Sequence, residues 1–127
     1  IHKMETMLLL VTLLLVKHAI ADFFLQRAFM FKDKHVYAGP GGISHAGIHG
    51  FLTFLAVVIC LPNLWLFAIL FGLFDAVAHY HIDYVKSSWN VKTKAAPSET
   101  RYWYAFGLDQ MAHSLTYVLI VYIIFLR

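Results

Sequence analysis

Charged residues are scarce in this chain. Asp, Glu, Lys and Arg make up 13% of its 127 residues, about half the share of roughly 25% found in soluble domains. The single cysteine, Cys60, excludes an internal disulfide and a zinc knuckle built from CxxC pairs. Phosphate-binding GxxxxGK[ST], nucleophile-elbow GxSxG and zincin HExxH motifs are also missing. These shortages exclude a disordered chain and an ordinary soluble enzyme, and the length suits one domain.

Most residues of the chain are apolar. They make up 61% of the chain, and they fall into four stretches, at about residues 4–30, 44–61, 64–85 and 101–126. A membrane-spanning helix needs about 20 apolar residues, and all four stretches qualify. Pro62 and Asn63 favour a tight break between the second and the third. The sequence therefore predicts an all-α, four-helix transmembrane bundle that forms a single integral membrane domain over residues 1–127, with the lipid bilayer as its partner.

The basic residues are unevenly placed along the chain. Most of them lie in or beside two polar loops, at residues 31–43 and 86–100, which four helices would put on the same side of the membrane: Arg27, Lys32, Lys34, Lys86, Lys92, Lys94 and Arg101. The positive-inside rule then predicts cytoplasmic loops and external termini. We interpret the net charge of +3 as a topology signal, and we expect no nucleic-acid partner. Lys17, His18 and Asp22 follow the first apolar run without a small-x-small cleavage pattern, which favours a retained helix over a signal peptide.

Each predicted helix carries polar side chains at a spacing of four residues, which places them on one helical face. All four of these stripes lie in the half of the membrane next to the loops, whereas residues 8–16, 54–60, 64–70 and 118–126 contain no acidic or basic side chain. A charge near the bilayer centre costs about 2.5–3.5 kcal/mol on insertion scales, so we expect the stripes to face one another. Their members are His18, Asp22 and Gln26; His45 and His49; Asp75, His79 and Asp83; and Asp109 and His113 with Gln110 beside them.

A mixture of imidazole and carboxylate groups is a typical ligand set for zinc, manganese or iron. We therefore predict one or two divalent transition-metal ions, with ligands among His45, His49, Asp75, His79, Asp109 and His113. Asp22 and Asp83 are the expected catalytic proton acceptors. His18, Gln26 and Gln110 are expected to orient the ligands through hydrogen bonds. The simplest activity is metal-dependent hydrolysis of a lipid or another membrane-associated, anionic substrate, and a diiron oxidase is a variant of it.

Three other interpretations remain open at this stage. The stripes could serve only as interhelical hydrogen bonds. The chain could be a non-catalytic subunit of a larger membrane assembly that binds a haem- or chlorophyll-type cofactor through histidine, although the many aspartates count against that. A small transporter or proton channel would need polar groups in both halves of the membrane, and the sequence places them in one half only.

Four segments, in their order along the chain, carry a resemblance to a known family. KHAIADFFLQ contains an H-x-x-A-D-F-x-x-Q pattern, HAGIHG an H-x-x-x-H-G pattern, DAVAHYHID a D-x-x-x-H-x-x-x-D pattern and DQMAH a D-Q-x-x-H pattern. In these the chain resembles the small bacterial and phage membrane proteins grouped as domain of unknown function 3307. The resemblance implies a bacterial or phage origin and the inner membrane, and it supports the polar constellation, but it implies no reaction.

Overall fold

The computed structural model describes residues 2–126, and these residues contain no β-strand. They form five α-helices: α1 (His2–Ala19), α2 (Ala28–Lys32), α3 (Pro40–Cys60), α4 (Trp65–Thr93) and α5 (Thr100–Leu126). Four of the helical segments are long and apolar enough to cross a membrane, namely α1 with its continuation, α3, α4 and α5. The predicted all-α bundle of four potential membrane spans is thereby confirmed.

The first span ends earlier than the sequence predicts. α1 continues into one π-helical turn, Ile20–Phe24, and the helix then stops, whereas the apolar pattern predicts a helix as far as residue 30. The side chain of Gln26 donates a hydrogen bond of 3.0 Å to the Asp22 carbonyl, an acceptor that the Gln26 backbone N–H would bond in a continuing α-helix. The chain becomes extended at Arg27 and forms the short helix α2.

The start of α3 lies in the glycine-rich segment that the sequence predicts to be a loop. Pro40 occupies the first turn of the helix, where its missing N–H costs nothing. The Asp33 carboxylate accepts hydrogen bonds of 2.9 Å from the backbone N–H groups of Gly41 and Gly42, which otherwise have no partner at a helix start. A Cβ atom on Gly41 would clash with the Phe29 carbonyl. Glycine at this position therefore lets α2 pack directly against the start of α3.

α4 is longer than predicted, because it runs to Thr93 rather than to residue 85. Its 29 residues span ~43 Å at 1.5 Å per residue, which exceeds the ~30 Å hydrocarbon core. The polar segment that begins at Lys86 extends the helix beyond a membrane-sized length. Lys94 ends α4 in the left-handed conformation, with φ of 55°.

Two features hold the helices together. The backbones of α3 and α4 lie close together at Gly50 and Gly72, where a Cβ on either glycine would lie 2.6–2.7 Å from the other's carbonyl oxygen. Small residues of this kind allow close helix packing in membranes. In the half of the bundle away from the loops, an apolar core fills the interior: Leu10, Leu14, Ala56, Val57, Ala68, Tyr117, Ile120, Val121 and Ile124. The polar side chains are left to fill the other half.

Candidate metal centre

The polar stripes of α3, α4 and α5, together with the end of the first span, point into the loop half of the bundle. His45, His49, His79, His113 and Asp75 are each no more than 1% exposed. Such burial of imidazole and carboxylate groups requires that they satisfy one another or bind an ion.

The first group combines one carboxylate with three imidazoles. Asp22, His45, His49 and His79 each offer one ligand atom, and these atoms all lie within 4.8 Å of one another. Asp22 Oδ1 lies 2.8 Å from His49 Nε2 and 3.1 Å from His45 Nε2. His45 Nε2 and His79 Nε2 are 3.3 Å apart. Zinc–nitrogen bonds of 2.0–2.1 Å in tetrahedral geometry separate neighbouring ligand atoms by about 3.3 Å, so the spacing suits a bound ion.

The second group consists of His79, Asp83 and His113. Asp83 Oδ1 lies 3.2 Å from His113 Nε2, and Asp83 Oδ2 lies 3.1 Å from His79 Nε2. His79 contacts both groups through the same nitrogen, and one nitrogen lone pair can bind only one ion. The Asp83 carboxylate, in contrast, presents one oxygen to each group.

Three of the imidazole rings form a stack. The His79 ring centroid lies 3.6 Å from that of His49 and 3.9 Å from that of His113, with interplanar angles of 23° and 20°. Rings in van der Waals contact leave no space for a planar macrocycle between them.

Asp22 owes its position to the π-helical turn that follows α1. Such turns are rare and are frequently found at functional sites. The two carboxylate oxygens face different partners: Oδ1 faces the histidines of α3, and Oδ2 lies 3.1 Å from His18 Nε2. Asp22 and Asp83, which the sequence analysis assigns to proton transfer, thus occupy positions within the two candidate ligand groups.

Asp75, a predicted ligand, lies outside both groups. Its Oδ2 lies 2.7 Å from Lys17 Nζ and accepts a hydrogen bond of 2.6 Å from Thr53 Oγ1. Lys17 Nζ in turn lies 3.0 Å from His49 Nδ1. Asp75 therefore acts on the group through Lys17, which contacts the far side of the His49 ring. The sequence pattern does not indicate a partner for Lys17, because this residue falls one position off the stripe of α1.

Asp109 and the orienting residues lie at the edge of the second group. Asp109 Oδ1 is 3.5 Å from His113 Nε2, and Gln110 Nε2 donates to Asp109 Oδ2 at 3.1 Å. His18 contacts Gln110 Oε1 at 2.9 Å and the Tyr117 hydroxyl at 2.8 Å. Two of the three predicted orienting residues, His18 and Gln110, thus contact the site, whereas Gln26 closes the helix end.

Lys34 is a site residue that the sequence analysis places in a polar loop. It is only 8% exposed, and its Nζ lies 3.3 Å from Asp83 Oδ2. The segment between α2 and α3 covers the loop side of the centre and places the Lys34 ammonium group beside Asp83. Residues 34 and 83 share no helical register, so no periodicity in the sequence signals the contact.

The fold and the site together define a protein with four potential membrane spans and a buried histidine–aspartate cluster. The chain belongs to the family described as protein of unknown function (DUF3307), whose model matches residues 10–127. This confirms the resemblance, and the matched range contains every residue of both groups. No curated protein and no solved structure matches the chain. The function must therefore be inferred from the chemistry of the site.

Proposed function

We propose that this protein is an integral membrane metalloenzyme. In this proposal it binds one or two divalent transition-metal ions and hydrolyses a lipid or another membrane-associated substrate. The observation that carries the proposal is the convergence of three histidine Nε2 atoms and one carboxylate oxygen in the first group, with the shortest separations at 2.8–3.3 Å.

The protons that hydrogen bonding would require on His45 and His79 support a bound ion as the explanation for this arrangement. A neutral ring nitrogen either donates or accepts. His45 Nε2 faces Asp22 Oδ1 and His79 Nε2 faces Asp83 Oδ2, so each nitrogen would need a proton to satisfy its carboxylate. Two N–H groups would then meet at 3.3 Å. A cation among these four atoms satisfies the two lone pairs and the two carboxylates together.

The composition of the groups suggests how ions are held. Asp22, His45, His49 and His79 form an N₃O set, which suits zinc, manganese or iron. If a second ion binds, His113, Asp83 and Asp109 are the side chains placed to hold it. In that case Asp83 would help to hold the second ion through Oδ1, on the side of His113, and Oδ2 would be left to accept a proton.

A bound ion of this kind supplies hydroxide at neutral pH and polarises a carbonyl or phosphoryl oxygen. The protein's own residues would then orient the substrate and transfer the proton of the attacking water. Asp83, with an oxygen toward each group, accepts the proton of the attacking water and returns it to the leaving group. Lys34, 3.3 Å from Asp83, places a positive charge where negative charge develops on the substrate during the reaction. The net reaction adds water across one ester or phosphoester bond.

The loop side faces the cytoplasm in this proposal, in the inner membrane of a bacterium. The basic loop residues support this orientation through the positive-inside rule. The centre then lies within about 12 Å of the cytoplasmic surface at the helical rise, where a lipid headgroup can reach it. The stacked rings favour an ion over the haem- or chlorophyll-type cofactor of a non-catalytic subunit.

Elemental analysis of the detergent-purified protein, together with an absorption spectrum, tests the proposal. We expect one or two equivalents of zinc, manganese or iron per chain, and we expect His49→Ala to lose the ion of the first group. His81→Ala is the matched control, because His81 lies on α4 but its Nε2 contacts Tyr37 at 2.9 Å, outside the centre. A wild-type protein that stays metal-free after incubation with these three ions would overturn the proposal, as would an absorption band of a tetrapyrrole.

A further inference from the structure

A groove of about 690 Å³ lies between α4 and α5. Its volume falls in the range of about 300–1,000 Å³ typical of small-molecule sites. Val85 and Leu108 in its wall are 65% and 62% exposed, so they face away from the bundle interior, toward the bilayer. The apolar and aromatic wall residues are Ile82, Val85, Trp89, Tyr104, Ala105, Leu108 and Ala112. A groove of this composition suits a hydrocarbon chain.

Two cationic side chains line the groove and form its cationic rim, Lys86 on α4 and Arg101 near the start of α5. Lys86 retains 21% exposure, and its Nζ lies 3.8 Å from Asp109 Oδ2. Arg101 is bonded to Glu99 and to the Thr93 carbonyl, and its side chain is 47% exposed. About 20 residues of α4 fill the hydrocarbon core, so a span that begins at Trp65 places Lys86 at the level of the lipid headgroups. Positive charge is therefore located where a membrane lipid carries its phosphate.

The inner edge of the groove reaches the candidate metal centre. Asp109 lines the groove but is only 5% exposed, and its Oδ1 lies 3.5 Å from His113 Nε2. Asp109 therefore lies in the wall of the groove and beside the second ligand group at the same time. The groove thus offers a region for each part of an amphiphile: an apolar wall for the chain, a cationic side chain for the anionic group, and Asp109 for the ester bonds between them.

We propose that this groove binds an anionic phospholipid from the loop-side leaflet. The acyl chain lies along Leu108 and Ala112, the phosphate contacts Lys86, and the ester region lies next to Asp109. As a statement about substrate the inference rests on the proposed function, whereas the binding itself can be measured independently. Free phosphate makes no use of the apolar wall, and a zwitterionic lipid lacks the net charge that Lys86 complements.

Lipid retention after purification tests the cationic rim. The protein is reconstituted with equal amounts of phosphatidylglycerol and phosphatidylcholine, re-extracted, and the retained lipids are counted by native mass spectrometry. We expect a preference for phosphatidylglycerol that Lys86→Gln lowers about five-fold, which corresponds to the ~1 kcal/mol that one basic side chain contributes at a membrane surface. Lys86→Arg should keep the preference. Lys92→Gln, an exposed change on the same helix outside the groove, is the matched control.

A steric variant tests the apolar wall. Ala105→Trp fills the groove and should abolish retention of the lipid, whereas Met111→Trp, on a lipid-exposed part of α5 outside the groove, should leave it unchanged. Excess inorganic phosphate should not displace the lipid. Equal effects of Lys86→Gln and Lys92→Gln, or unchanged retention in Ala105→Trp, would overturn the inference.

Metal content measured in the same samples separates the two proposals. Ala105 belongs to neither ligand group, so Ala105→Trp should keep its ion. A protein that holds metal but shows no lipid preference refutes the groove inference alone. A protein that retains phosphatidylglycerol but no metal refutes the proposed function alone.

Discussion

Lys17 and Asp75 form an ion pair of 2.7 Å inside the bundle, with side-chain exposures of only 6% and 1%. Thr53 donates a further hydrogen bond to the same Asp75 oxygen, and Lys17 reaches His49 Nδ1 at 3.0 Å. Each charge would be costly alone at this depth, so the pair is tolerated as a unit. Its position on the far side of His49 makes it the support of the first ligand group.

Replacing one member of this pair should destabilise the protein strongly. We expect Lys17→Met to lower the free energy of unfolding by about 3–5 kcal/mol, because it leaves the Asp75 carboxylate buried without its counter-charge. The double variant Lys17→Met/Asp75→Leu should recover most of that loss. Unfolding of both variants in detergent, followed by circular dichroism, measures the effect. Equal stability of Lys17→Met and the wild type would contradict the buried pair.

The contact between α3 and α4 predicts a difference between two glycines on the same helix. Gly50→Ala should destabilise the bundle by about 1–3 kcal/mol through overpacking, because the new Cβ would lie 2.6 Å from the Gly72 carbonyl. Gly47 has no atom within 4 Å of a new Cβ, so Gly47→Ala should be stabilising by about 0.5–1 kcal/mol through helix propensity. The same unfolding measurement on both variants compares them. A loss of stability in Gly47→Ala comparable to that in Gly50→Ala would refute this packing argument.

The position of His79 in the first group predicts an unequal effect of two histidine substitutions on metal content. His79→Ala removes one of the four ligand atoms of the first group, and we expect it to lose the ion of that group. His113→Ala leaves Asp22, His45, His49 and His79 intact, so it should retain at least one ion. Metal-to-protein ratios of the two variants, measured side by side, check this. Complete loss of metal in His113→Ala alone would place the principal ion in the second group.

The loop between α4 and α5 should respond to acid. Glu99 accepts a hydrogen bond of 2.9 Å from the Ala96 N–H and one of 3.0 Å from Arg101 Nε, and these bonds hold the pKa of Glu99 below its ordinary value of 4.5. A lowered pKa means that the carboxylate stabilises the folded loop above pH 4.5, and that this contribution is lost as the pH falls through the lowered value.

Backbone amide shifts of Ala96, followed by NMR during an acid titration, report this change. We expect the wild type to show a titration below pH 4.5 that is missing in Glu99→Gln. Thr100→Ser, next to Glu99 at the start of α5, leaves the carboxylate in place and serves as the control. Identical titration curves for wild type and Glu99→Gln would show that another group is responsible.

Much of the architecture could be predicted because it depends on local periodicity. A spacing of four residues puts His45 and His49, or Asp75 and His79, on one helical face whatever the rest of the fold does. The high cost of burying charge in lipid then indicates that the stripes face inward. Both arguments need only the sequence, and the structure brings the stripes into one half of the bundle.

The finer details depend on contacts between distant parts of the chain. Asp22 and Asp75 follow the same spacing rule, yet only Asp22 lies within a ligand group, because Lys17 and Thr53 bind Asp75. Lys34 comes from a non-periodic segment. The end of the first span also depends on a side-chain hydrogen bond by Gln26 that composition does not reveal. Such contacts can be recognised only in the three-dimensional structure.

The apolar core in the half of the bundle away from the loops has an electrical consequence. Leu10, Leu14, Val57 and Ile120 are fully buried there, so that half acts as an insulator, and most of a transmembrane voltage drops across it. Moving one elementary charge through the whole field is worth about 2.3 kcal/mol per 100 mV, but an ion entering the centre from the loop side crosses little of that field. If the centre binds an ion as proposed, its occupancy should therefore depend on the ion concentration of the adjoining compartment and hardly at all on the transmembrane voltage.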